Sequence, residues 1–508
     1  MNMPLAEQEI RKEKLNALLS EGINPYPSTP KRTANCADAI ESFADWSAEK
    51  KSVVLCGRIL ITRVHGGLLF ADLKDASGKI QLLFKEDSIG SEQFAKFRDR
   101  IDPGDFVQAT GVLIETKRGE KSLEVSSWDI LAKALLPLPE KFHGLQDQEI
   151  RYRQRELDLI SNPEVREVFR LRTKIVSAFR RALEDEGFEE VETPIFQPIA
   201  GGATARPFVT HHNALDIPLY LRIAPELYLK RLIVGGYEKV FEIGRQFRNE
   251  GIDWTHNPEF TSIEFYWAYK DYHDLMEFTE KLICRVISEV NNGSLKLKNE
   301  EVEIDFKAPW LRVRFRDAVL KETGIDIEVL SHKELVAEMK KLKIEADYAT
   351  AHIGKLYDEL YSNSVRKKQM QPMFITDYPI EMEPLAKKCV DNPRYVQRFQ
   401  LLAAGRELLK AYSELNDPID QRERFVAQQE LQLAGDLEAQ TIDETFLAAL
   451  EHGMPPTAGW GMGIDRFVAL LANVHSVKDV ILFPTMRPEN QVKQKPLLPN
   501  KPKNVKRT

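Results

Sequence analysis

Residues 241–269 read FEIGRQFRNEGIDWTHNPEFTSIEFYWAY. Two apolar-rich runs flank a polar loop, which is the pattern of a strand, a loop and a returning strand. The first arm carries Arg248 and Glu250, the loop His256 and Asn257, and the second arm Phe260 and Glu264. The plain alternative is a solvated hairpin with a surface salt bridge. Further along, AGWGMGIDRFVALL (458–471) sets Gly459, Gly461 and Gly463 ahead of Arg466 at a helix start. A glycine run before a helix is a weak phosphate signal, and Arg466 alone would be an ordinary surface charge. Upstream, EGFEEVETPIF (186–196) follows a long helical pattern, with Pro194 ending a short β element. By itself that is common structure.

Outward from these stretches the period of the apolar residues changes twice. Residues 164–186 place Val165, Val168, Phe169, Ile175, Val176, Phe179 and Leu183 on one face, an amphipathic helix stopping at Gly187. Strand-like LYLRIA, KVFEIGRQF and SIEFYWAY follow, then a Lys/Glu-rich helical stretch that reads as an insertion at about 328–370. A strand-rich block spans 373–415, with closing helices at 419–452 and 463–473. Toward the N-terminus, 53–131 holds five short β runs separated by Gly-Gly, Ala-Ser-Gly, Pro-Gly and Arg-Gly turns, with a helical insert near 91–100. This fits a small Greek-key barrel of the OB type, with a four-stranded meander as the simpler alternative. The expected class is α+β. The expected organisation is a helical extension (1–50), the barrel (51–135), a linker (136–160), a catalytic domain (161–490) and a basic disordered tail (491–508).

Composition narrows little further. The 508 residues are 43% hydrophobic and 29% charged with a net charge of -7, so any nucleic-acid contact must come from local basic patches. The four cysteines, Cys36, Cys56, Cys284 and Cys389, are scattered without ligand spacing, which suits free thiols in a reducing compartment. The opening residues lack a signal-peptide core and no apolar run is long enough for a membrane span, so a cytoplasmic protein without membrane attachment is expected. Neither a GxxxxGK[ST] nor a GxGxxG loop occurs.

Together the three stretches resemble motifs 1, 2 and 3 of the class II aminoacyl-tRNA synthetases. Nearly the whole chain is similar to bacterial class II lysyl-tRNA synthetases of the lysine–aspartate–asparagine subclass. The resemblance implies an OB barrel and an antiparallel catalytic sheet of six to seven strands, the expected partners being tRNA(Lys), L-lysine, ATP and a second copy in a homodimer. It implies ATP binding by Arg248, Glu250, His256, Asn257, Phe260, Glu407 and Arg466, with Arg248 and Arg466 catalytic. Lysine would be held by Gly202, Glu226, Glu264, Tyr266, Tyr412 and Glu414, Glu226 being placed on a strand in LRIAPELYLKRL. Three glutamates and two tyrosines suit a cationic substrate, whereas an aspartate enzyme would need a cation where Glu414 stands. On the barrel, Arg63, Phe70, Gln81 and Glu120 match positions that read a U-rich anticodon by stacking and edge contacts. A tRNA-binding or protein-lysylating paralogue is the alternative activity.

RFQLLAAGRELLKAYSELND (398–417) departs from the family pattern. Most relatives carry glutamate at Gln400 and asparagine at Lys410. A hairpin turning at Ala403–Ala404 would set Gln400 opposite Glu407, where the family clamps Mg2+ on paired carboxylates. Gln400 is a poorer ligand for a hard cation, and Lys410 is expected to act as a point charge on phosphate oxygens in place of part of that metal. Neutral drift is the other reading of this pair of changes.

Overall fold

A computed structural model describes residues 5–139, 145–349, 351–436 and 438–488. The tail expected at 491–508 lies outside the described residues. The chain divides into two compact units, before and after the Gln146–Asp147 bond.

The first unit is a closed barrel of β1 (Ser52–His65), β2 (Leu68–Lys74), β3 (Lys79–Lys85), β4 (Phe106–Glu115) and β5 (Lys121–Ala132), in the order β1-β2-β3-β5-β4. Antiparallel β1–β4 and parallel β3–β5 pairings close it, which excludes the meander. Strand alternation turns Leu69, Ala71 and Leu73 inward and leaves Phe70 and Asp72 on the outside. Helix Ser91–Arg100 sends Phe94 and Phe97 into the core, with the Phe97 ring against Phe84 and Trp128.

The second unit is built on eight strands. In chain order these are β6 (Glu189–Glu190), β10 (Lys239–Phe247), β11 (Glu259–Ala268), β14 (Leu311–Arg314), β15 (Met373–Pro379), β16 (Tyr395–Ala403), β17 (Arg406–Ser413) and β18 (Thr457–Gly463). Between them come a three-stranded sheet, β7 (Phe196–Gln197), β8 (Val209–His212) and β9 (Ile217–Leu221), and a hairpin, β12 (Lys296–Asn299) and β13 (Val302–Asp305). The large sheet runs β14-β15-β16-β17-β18-β11-β10-β6. It exceeds the six to seven strands expected because its outer members, β6 and β14, are too short to show a period; both pair parallel with their neighbours.

One face of this sheet is core. Phe265, Phe399, Leu401, Leu409, Trp460 and Met462 pack with Ile175, Phe179, Leu282, Ile283, Phe467 and Val468. Those partners lie on helices Pro163–Asp185, Tyr272–Val290 and Ile464–Leu471. The first begins with proline in its first turn and ends just before Gly187, whose φ of 80° suits a residue without a side chain. The expected insertion contains helices His332–Lys341 and Ile353–Ser364, the former started by a Ser331/Glu334 capping box.

Candidate active site

The other face of the large sheet is the floor of a cavity of about 910 Å³. Its shape follows from the alternation in TAGWGMG. Trp460 and Met462 point into the core, so Gly459, Gly461 and Gly463 face the cavity. Cross-strand registers then build three rows on that floor. Arg398, Tyr412, Gly459 and Tyr266 form the first, Gln400, Lys410, Gly461 and Glu264 the second, and Gly463 with Ser262 the third. The glycines leave a trough along the middle of the sheet.

The first row closes the acidic end. Glu226 stands in the first turn of helix Glu226–Val234, not on a strand as expected, because β9 ends at Leu221 and Pro225 precedes the helix. Its Oε2 accepts from the Tyr412 hydroxyl at 2.7 Å and its Oε1 from Lys230 Nζ at 2.7 Å. Lys230 is fully buried and also ion-pairs with Glu414. Burial works against the Lys230 charge, yet Glu226 and Glu414 hold its pKa above the usual lysine value. Among the described residues no group donates to Glu414 Oε1. A Cβ on Gly459 would lie 2.0 Å from that oxygen and 2.6 Å from Tyr266 Cε1, so only glycine lets these groups converge. Gly202, at φ +85°, brings its backbone beside Glu226 and Ala224. Burial, with Glu226 nearby, pushes the Glu264 carboxyl up to about 8.

The opposite end is cationic. Arg248 lies over the Phe260 ring at 5.1 Å, with its buried Nε lacking a partner among the described residues. Glu250, Glu264, Glu407 and Arg466 are close enough to act on its charge. Arg466 Nη2 is 3.1 Å from His256 Nε2, and His256 Nδ1 is 2.8 Å from Asp253 Oδ2, so the loop of the first hairpin steadies the second arginine. Asn257 also lines the cavity. Its amide donates to Glu259 O at 2.6 Å and accepts from Thr485 N at 3.1 Å, which ties the loop down.

The hairpin β16–β17 also differs from its expected form. It turns at Ala404–Gly405, both at positive φ, as a two-residue connection requires. Gln400 therefore faces Lys410, not Glu407, in the register. A bulge after Leu401 buries both Leu408 and Leu409 and returns Glu407 to the cavity side. Gln400 Nε2 then donates to Glu407 Oε2 at 2.9 Å, while Gln400 Oε1 accepts from Tyr361 and Tyr378 at 3.1 and 2.8 Å. The acceptor-only Glu407 fixes this amide orientation.

These residues do not fit a protein-held Mg2+. The Gln400 oxygen is engaged by two hydroxyls, one Glu407 oxygen accepts from the amide, and Arg366 Nη1 stands 3.7 Å from that same oxygen. Lys410 Nζ is 3.5 Å from Glu383 Oε2, so its charge meets a carboxylate of the chain itself. Sequence reasoning missed Lys230 and Arg366. The first was findable as the i+4 partner of Glu226 on a helix. The second lies in a basic stretch with nothing to separate it from its neighbours.

On the barrel, Arg63 faces Phe70, Asp72 faces Gln81, and Gln81 faces Ser122 in adjoining registers, which places these side chains on one outer face. Arg63 ion-pairs with Asp72 at 3.2 Å and Gln81 accepts from Ser122 at 3.0 Å. Glu120 is exposed at the turn into β5. No helix among the described residues is long and apolar enough to cross a membrane.

Residues 147–487 match the family described as tRNA synthetases class II (D, K and N), and residues 53–131 match the OB-fold nucleic acid binding domain. A "Lysine--tRNA ligase" of Clostridium perfringens is 49% identical over 490 residues, covering 96% of this chain and 97% of that protein. Proteins of the same name from Thermoanaerobacter sp. (49% over 485 residues, 95% and 96% covered) and Carboxydothermus hydrogenoformans (48% over 483 residues, 95% and 98% covered) are also similar. With an OB barrel, a class II sheet and near full-length likeness of this degree, the chain belongs to the lysine–tRNA ligase family of class II tRNA synthetases.

Proposed function

We propose that the chain activates L-lysine with ATP and transfers the lysyl group to the 3′ end of tRNA(Lys). In the first step a lysine carboxylate oxygen attacks the α-phosphorus of ATP, the bond to the bridging oxygen breaks, and pyrophosphate leaves. In the second a terminal ribose hydroxyl attacks the acyl carbon and AMP leaves. The substrate brings its own nucleophile, so the protein's part is positioning and charge stabilisation.

Arg248 and Arg466 meet the charge that develops on the phosphates, Phe260 and Glu250 receive the adenine, and the Gly461–Gly463 floor admits the nucleotide. Glu414 Oε1 and the Tyr266 hydroxyl take the ε-ammonium, with Glu264 and Glu226 toward the α-amino group. Magnesium enters on this reading only as the counter-ion of ATP. The outer barrel face with Arg63, Phe70, Gln81 and Glu120 reads the anticodon. The protein acts in the cytoplasm as a homodimer.

The observation that carries the reading is an acidic end, with Glu226, Glu264 and Tyr266 on the same trough as two arginines and buried Glu414 beside Gly459, its Oε1 without a donor among the described residues. ATP–pyrophosphate exchange tested with each amino acid should respond to lysine alone. Glu414→Gln should raise the lysine KM steeply, since removing one partner of a desolvated ion pair costs about 3–5 kcal/mol. An unchanged lysine KM in that variant, or exchange driven by aspartate or asparagine, would refute the assignment. A protein-lysylating or purely tRNA-binding role is less well supported, because the barrel and both arginines are present together.

A further inference from the structure

Arg366 follows helix Ile353–Ser364, in the stretch the sequence shows only as a basic insertion. Its Nη1 is 3.7 Å from Glu407 Oε2 and 3.8 Å from Asp358 Oδ1. It therefore lies between two carboxylates from different elements, the place a bridging cation would take. Its Nη2 donates to Ser362 Oγ and its guanidinium lies over the Tyr361 ring at 5.8 Å. The Tyr361 hydroxyl in turn donates to Gln400, whose amide holds Glu407. Each support of this cation is thus itself held in place.

We propose that Arg366 is a built-in substitute for a protein-held divalent cation at the phosphate end of the trough, where it binds the terminal phosphates of ATP and the departing pyrophosphate. This rests on the reading of the cavity as an ATP site. A guanidinium carries five N–H donors in a fixed fork, and among the described residues only Ser362 accepts a side-chain hydrogen bond from it, so several remain for phosphate oxygens. Arg366 and Glu407 line the same cavity as Arg248 and Arg466, and Glu407 is near enough to Arg248 to act on its charge. Three arginines then face the polyphosphate. Lys410, expected from the sequence to act on phosphate oxygens, lines the same cavity in the middle row with its Nζ 3.5 Å from Glu383 Oε2.

Two binding measurements test this without turnover. Mn2+ titrated against the nucleotide-free protein, followed by its paramagnetic resonance signal, should show no stoichiometric site. Pyrophosphate measured by calorimetry in EDTA should bind wild type, weaken about tenfold or more in Arg366→Ala, and recover in Arg366→Lys, as expected for a charged hydrogen bond. The double variant Gln400→Glu, Arg366→Ser should gain a Mn2+ site, an outcome no misfolded protein would give. Stoichiometric Mn2+ binding by wild type, or equal pyrophosphate affinity in wild type and Arg366→Ala, would overturn the proposal. Lysine-dependent exchange in magnesium, run on the same preparation, separates the two readings. Its absence would refute the proposed function, while the Mn2+ and pyrophosphate results would still decide the role of Arg366.

Discussion

Replacing Gly459 by alanine should abolish lysine activation while leaving the nucleotide end intact. The added Cβ would stand 2.0 Å from Glu414 Oε1, against a floor of 3.0 Å for real contacts, so the carboxylate must retreat by about 1 Å. It cannot do so freely, because its other oxygen is paired with buried Lys230. The Tyr266 ring, 2.6 Å from the same Cβ, blocks escape on the other side. The ε-ammonium then loses an aligned acceptor in a desolvated site. A broken buried pair costs about 3–5 kcal/mol, or roughly two to three and a half orders of magnitude in lysine kcat/KM. ATP–pyrophosphate exchange with varied lysine measures this. Gly78→Ala on the barrel is the control, since its Cβ would meet nothing nearer than Ala37 N at 3.9 Å. A Gly459→Ala protein that melts normally and keeps its lysine KM within about threefold would refute the trough as the lysine site.

Three further outcomes follow from the same geometry. Phe70→Ala should lower aminoacylation of tRNA by about 1–3 kcal/mol per unstacked base with pyrophosphate exchange unaltered; an equal fall in both would remove Phe70 from recognition. The Glu264 carboxyl, raised by burial to about 8, is mostly protonated at pH 7 and must ionise to meet a cation. Lysine binding at pH 7 should therefore release a proton and tighten as pH rises toward 8, and calorimetry in buffers of different ionisation enthalpy should show no such release in Glu264→Gln. Lys230→Met leaves Glu226 and Glu414 buried without their cation and should cost about 3–5 kcal/mol of stability. That loss should shrink at low pH, where protonated carboxyls tolerate burial, and an unchanged denaturant midpoint at neutral pH would contradict the pairing.

Strands and helices with a strong apolar period were legible in the sequence. The helix at 163–185, the barrel strands and the glycine alternation at 459–463 each repeat long enough to declare themselves. Two-residue β6 and four-residue β14 carry no period, so the width of the sheet was not. Of the site residues drawn from the resemblance in the second unit, all but Glu414 line one cavity, those on strands and helices through the register and Gly202, Arg248, Glu250, His256 and Asn257 from the loops that join them. What stayed hidden depended on side chains meeting across elements. The bulge that buries Leu408 and Leu409 together changed the partner of Gln400, and a bulge has no compositional mark. Asn257 shows in the sequence only as a polar loop residue, and its hydrogen bonds to Glu259 and Thr485 follow from the fold alone.

The spacing of the trough rows gives the floor a property beyond shape. Successive glycine-centred rows are two residues apart on β18, about 6.8 Å along an antiparallel strand. On the proposed assignment the ε-ammonium belongs to the Gly459 row and the α-amino group to the Gly461 row. The pleat therefore acts as a ruler laid beside the substrate, and its graduation comes from backbone geometry that no side-chain substitution can rescale. A diamino acid one methylene shorter, such as ornithine, reaches from one mark but not to the next. Such a shortfall is worth about 1–3 kcal/mol, and it would be imposed by the repeat of the β-strand itself.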